Sequence, residues 1–87
     1  GNSSYQSQYN LGFNTSTITQ DGGDNFAESI QWGDGNESIL LQSGDRNTSG
    51  QTQDGITNLS TVTQTGFGHI SGTLQGGTSN VTTVIQN

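Results

Sequence analysis

The chain has 87 residues, enough for one domain. Only 24% of them are apolar, about half the roughly 45–50% of ordinary globular domains, which excludes a conventional hydrophobic core. Net charge is −6 with Arg46 the sole basic side chain, which argues against nucleic acid and anionic membranes as partners, and the absence of Cys excludes disulfides and thiolate metal sites. No run approaches the length of a transmembrane helix. A chain without Met that begins at Gly1 is expected to be a processed or trimmed form, from which any export signal is missing.

Taken in order, eight segments start at one residue type and end at another. The first, 2–8, runs from Asn2 to Gln8, and the second, 14–20, from Asn14 to Gln20. Asn2 lies twelve residues before Asn14, so the first connection carries one extra residue. From there the period is eleven: 25–31 (Asn25 to Gln31), 36–42 (Asn36 to Gln42), 47–53 (Asn47 to Gln53) and 58–64 (Asn58 to Gln64). Segment 69–75 puts His69 where Asn is expected and closes on Gln75, and 80–86 runs from Asn80 to Gln86. Two residues past the Gln of the second to seventh segments stands a glycine, in the series Gly22, Gly33, Gly44, Gly55, Gly66 and Gly77. A fixed period of this kind decides architecture before any single residue does.

Each segment alternates as a strand does. Counting the Asn as position zero, the even positions hold Asn, a small residue, a variable residue and Gln, and never a charge. The odd positions carry Glu28 and Glu37. Because burying an unpaired charge is costly, the even side is expected to face inward. The variable position sorts the strands into two kinds. Ile18, Leu40, Val62 and Val84 are aliphatic and recur every 22 residues, while Gln6, Ser29, Gln51 and Thr73 alternate with them. The expected fold is therefore all-β: a single β-solenoid domain over 1–87 with about four two-strand coils, 1–24, 25–46, 47–68 and 69–87. Coils of this kind could stack into cross-β fibrils.

At a coil spacing of roughly 4.7–4.9 Å, inward Asn and Gln amides are expected to donate to the equivalent amides of the next coil, forming ladders. The frame glycines are expected in tight turns, since arcs such as Asp21–Asp24 need a positive φ. At the stacking distance no acid meets another acid, and Asp24 meets Arg46, an expected surface pair worth no more than about 1 kcal/mol.

The spacing Q-x-G-x-x-N-x-[AS]-x-x-x-Q appears as Gln20-Asp21-Gly22-Gly23-Asp24-Asn25-Phe26-Ala27 through Gln31, and again from Gln42 through Gln53. It resembles the curlin repeat of bacterial curli fibres, over nearly the whole chain. The resemblance implies a secreted subunit that assembles into functional amyloid on the bacterial surface, for adhesion and biofilm matrix. It also implies partners: further copies of the chain, a nucleator subunit, a secretion pore and a chaperone. Ser often stands where that family favours Ala.

Other signals have plainer readings. His69, the only His, lacks partners for catalysis or a metal and is expected to substitute in the amide column. Six N-x-[ST] sequons, at Asn2, Asn14, Asn36, Asn47, Asn58 and Asn80, arise from the inward pattern and are read as a by-product of it. Paired acids such as Asp21 and Asp24 have no pocket to separate their pKa values, so neither an enzyme nor a cofactor is expected. The rival reading is a monomeric ice- or surface-binding solenoid using Thr15, Thr17, Thr19, Thr61 and Thr63, although Glu37, Ile39 and Leu41 interrupt that array.

Overall fold

The computed structural model describes residues 1–9 and 13–87. The expected extra residue of the first connection falls within 9–13, largely outside the described residues. Among the described residues eight strands follow one another: β1 (Ser3–Tyr9), β2 (Thr15–Gly23), β3 (Phe26–Asp34), β4 (Glu37–Asp45), β5 (Thr48–Ile56), β6 (Leu59–Phe67), β7 (Ile70–Thr78) and β8 (Val81–Gln86). They form two four-stranded sheets, ordered β1-β3-β5-β7 and β2-β4-β6-β8. Every pairing is parallel, with a register of 22 residues such as Leu40 on Val62. The β1–β3 pair, where Ser3 sits on Phe26, is offset by one more. The protein is an all-β solenoid of about four coils, each giving one strand to each sheet.

The strands differ from the expected segments at both ends. They begin one residue after the Asn and run on for up to three residues past the Gln, so the frame glycines lie inside the ladders rather than between them. The reversal is shared between two left-handed residues. Gly22 has φ 110, and Asp24, two residues later, has φ 55. In other arcs the second place is taken by Arg46, Thr57 and Ser79, at φ 59–61. A left-handed non-glycine costs about 1–2 kcal/mol. Bonds between coils offset that cost: the Arg46 N–H donates to the Gly23 carbonyl at 2.9 Å and the Thr57 N–H to the Asp34 carbonyl at 2.9 Å.

The interior is thin and mostly polar. Ala27, Leu40 and Val62 are fully buried, with Ile18 and Val84 packed on either end of the cluster. The remaining buried side chains are amides and hydroxyls, among them Gln31, Gln42, Gln51, Gln53 and Gln64. Such an interior is stable only if its polar atoms are paired, because each orphan costs about 1–3 kcal/mol. A seam running through the coils does much of that pairing. The Ser29 hydroxyl donates to Ser38 at 2.9 Å, Ser38 donates to the Gln51 carbonyl oxygen, and the Gln51 amide donates to Ser60 at 3.0 Å. Ser60 meets Thr73 at 3.2 Å.

Two hydroxyls stay outside the seam. Ser49 and Ser71 are buried, and their Oγ atoms have no partner among the described residues. They stack in one column above Ala27, which offers no acceptor. Ser49→Ala and Ser71→Ala are therefore expected to raise stability, by about 1 kcal/mol each. The urea midpoint should increase with an unchanged slope, and a decrease would mean that the hydroxyls are bonded.

Candidate assembly interface

The Gln positions form the expected amide ladders, and they also do more. Along one sheet Gln8 donates to Gln31, Gln31 to Gln53 and Gln53 to Gln75, at 2.8–2.9 Å. Along the other Gln20 donates to Gln42, Gln42 to Gln64 and Gln64 to Gln86, at 2.7–2.9 Å. The second N–H of each amide crosses the interior to a carbonyl of the facing sheet. Gln31 reaches Thr15, Gln42 reaches Phe26, Gln53 reaches Glu37 and Gln64 reaches Thr48, all at 2.9–3.0 Å. One side chain thus ties coil to coil and sheet to sheet. An aliphatic side chain would fill the space but supply neither of these bonds.

The Asn positions correct the sequence expectation, because their amides do not bond to one another. Each Oδ1 accepts the backbone N–H of the equivalent residue one coil on: Asn2 from Asn25, Asn14 from Asn36, Asn25 from Asn47, Asn36 from Asn58 and Asn58 from Asn80, at 2.9–3.0 Å. Each Nδ2 then donates to a frame glycine carbonyl of the next coil. Asn14 reaches Gly33, Asn25 reaches Gly44, Asn36 reaches Gly55, Asn47 reaches Gly66 and Asn58 reaches Gly77, at 3.0–3.2 Å. The cause is the side chain's length. Asn lies at the strand mouth, where its short amide meets the neighbouring main chain. Gln, with one more methylene, clears the main chain and reaches the next Gln.

His69 takes the Asn place in the last coil. Its N–H donates to Asn47 Oδ1 at 3.0 Å, and its Nε2 lies 3.0 Å from the Thr65 carbonyl, four residues back. That is the bond Asn25 makes to Asp21 and Asn36 to Trp32. The imidazole therefore reproduces the local part of the Asn pattern.

The columns break off at both ends, and the two ends are complementary. At the N-terminal end the amide oxygens of Gln8 and Gln20 accept nothing among the described residues, and Ile18 is half-exposed. At the C-terminal end the Gln86 amide donates, among the described residues, only to Ile70, at 3.1 Å, and Val84 is half-exposed. Gln75, with no further Gln above it, turns one N–H to the Thr82 hydroxyl at 2.8 Å. In the Gln columns the donors point toward the C-terminal end and the acceptors toward the N-terminal end.

The outer surface differs from one expectation. Asp24 pairs with the N-terminal ammonium at 2.6 Å rather than with Arg46. That bond and the ammonium's charge hold the Asp24 carboxyl below its usual range, with Arg46 a smaller pull in the same direction. The Arg46 guanidinium lies instead over the Phe67 ring, 5.3 Å from its centre. Tyr9 and Trp32, one coil apart, stack with ring centres 4.2 Å apart.

Sequence reasoning missed the cross-sheet bonds, the hydroxyl seam and the second left-handed residue of each arc. The polar character of Ser29, Gln51 and Thr73 was the available signal for the seam. The chain matches no family model and no curated protein.

Proposed function

We propose that this protein is a structural, non-catalytic subunit that polymerises head to tail into cross-β filaments. The observation that carries this reading is the complementarity of the two ends. A second copy docked with its β1 on β7 and its β2 on β8 sets Gln20 over Gln86, Ile18 over Val84 and Asn14 over Asn80. The Gln86 amide gains the acceptor it lacks, and the half-exposed aliphatic cluster is completed, contributing about 1 kcal/mol per side chain. Among the described residues the end strands β1, β2, β7 and β8 also have one unpaired backbone edge each, which non-polymerising sheet proteins normally protect with Lys, Pro or a covering element. Two different surfaces meet at such a joint, so the contact does not close and yields a filament.

The resemblance of the Q-x-G-x-x-N repeats to curlins extends the proposal to an extracellular fibre of a bacterial surface, serving adhesion and biofilm matrix. A nucleator, a secretion pore and a chaperone would be its partners. In the rival surface-binding reading, β2 and β6 present Thr17, Thr19, Thr61 and Thr63, but Ile39 and Leu41 stand in register between them.

Negative-stain microscopy of the purified chain is expected to reveal unbranched filaments. Fibre diffraction should give reflections near ~4.8 Å along the axis and ~10 Å across it. Protein that stays monomeric at high concentration would contradict the proposal, and thermal hysteresis in such a monomer would favour the rival.

A further inference from the structure

We propose that the outer face of the β2-β4-β6-β8 sheet is a lateral interface, on which a second copy packs through the same face and so pairs two filaments. The inference rests on the head-to-tail reading above and adds a second direction of association. Two columns of this face carry no charge. One runs from Thr17 to Thr83 at the third strand position and the other from Thr19 to Ile85 at the fifth, with Ile39 and Leu41 in their second rung. Ile39 is 37%, Leu41 43% and Ile85 66% exposed. Seven of the eight side chains in the two columns are β-branched, Leu41 being the exception, and on an in-register parallel sheet they form an even surface, the shape that packs sheet to sheet at about 10 Å. The acids of this sheet, Asp21, Glu37 and Asp45, lie outside the two columns, toward the strand ends.

The opposite face is not suited to the same use. Glu28 stands on it at the third strand position, in a central column, and no cation in the same sheet faces it, whereas Asp34 and Asp54 lie toward the strand ends as the acids of the first sheet do. Packing that face against its own copy would take the Glu28 carboxylate out of water unpaired. It is also uneven: Tyr5, Phe26 and Trp32 project from the first two coils, whereas an atom added at Gly50, Gly72 or Gly76 would meet nothing within 4 Å. On a chain with net charge −6, charge selects the first face.

Area identifies the occupant as another filament rather than a single subunit. Seven residues at ~3.3 Å by four strands at ~4.8 Å give about 450 Å² per copy. Stable interfaces bury about 800 Å² per partner. One copy falls short, but every subunit added to a filament extends the same face. Pairing is therefore length-dependent: single copies stay apart, and filaments join once about two or more copies on each side are in contact.

Filament width under negative stain, with elongation followed separately by light scattering, tests this. Wild-type filaments are expected in pairs. Thr61→Glu and Thr63→Glu place a carboxylate in each of the two columns on the internal strand β6, and each is expected to give single filaments at about half the width with unchanged elongation. Thr52→Glu, the same change on the opposite face, should leave the pairs intact. Single wild-type filaments, or paired filaments in both Thr61→Glu and Thr63→Glu, would overturn the lateral interface while leaving the head-to-tail reading standing. No filaments from any of the proteins, wild type included, would remove both.

Discussion

Gly44→Ala is expected to abolish the folded solenoid. A Cβ at Gly44 would lie 2.0 Å from the Gly66 carbonyl oxygen and 2.8 Å from its carbon, and these are main-chain atoms that no rotamer change can move. The Gly66 oxygen also accepts the Asn47 amide at 3.2 Å, so displacing it breaks an interior bond. The backbone adds its own penalty, since φ is +114 at Gly44. Such a conformation costs a residue other than glycine about 1–3 kcal/mol before any clash. A chain of this length has roughly 4–13 kcal/mol of stability to lose. Strain and clash together are expected to consume it, with circular dichroism of the fresh monomer reporting loss of the strand signal. Gly77→Ala separates the two causes. Its φ is +103, but the nearest atom is the Asn80 amide nitrogen at 3.6 Å, an ordinary contact. That variant should keep its fold at a lower urea midpoint. Equal losses in the two proteins would mean that the backbone angle, not the stacked carbonyl, governs the arc.

The period, the strand count and the inward side were legible because repetition samples each position many times. Leu40 and Val62 one coil apart, with Gln42 and Gln64 in the same frame, leave little choice of register. What could not be read was how two residue types with the same amide would use it. The Asn25 and Gln31 side chains differ by one methylene, and only the main-chain path determines that the first bonds to the Gly44 carbonyl and the second to Gln53. The arcs hid their second left-handed residue for a related reason. Asp24, Arg46 and Thr57 have no common side chain, because the place is held by bonds between neighbouring arcs rather than by residue type. Surface pairing was legible least: Asp24 and Arg46 stack in sequence register, yet a nearer ammonium and an aromatic ring take them as partners.

Gln64→Ala is expected to cost about 3–5 kcal/mol, the sum of three lost hydrogen bonds at about 1 kcal/mol each and a small cavity. The residue is fully buried; it donates to Gln86 at 2.7 Å and to the Thr48 carbonyl at 3.0 Å, and accepts from Gln42 at 2.8 Å. Neighbouring Thr63, on the outer side of the same strand, makes none of these bonds, and Thr63→Ala should stay within about 1 kcal/mol of the parent. Urea unfolding of the monomer gives the comparison directly, and equal effects would mean that the inward and outward sides are reversed. Gln64→Glu then distinguishes the amide's donors from its bulk. A carboxylate of the same shape can still accept from Gln42, but it has no N–H for Gln86 or Thr48, and its charge is buried. Burial raises the pKa of such a group above its unfolded value, so the destabilisation is present at neutral pH and is relieved as pH falls through the folded-state pKa. The protonated form recovers one donor. Gln64→Glu is thus expected to unfold more readily than Gln64→Ala at pH 7 and less readily at pH 4. A variant insensitive to pH would mean that position 64 is filled with water and that bulk, not the donated bonds, is what the column requires.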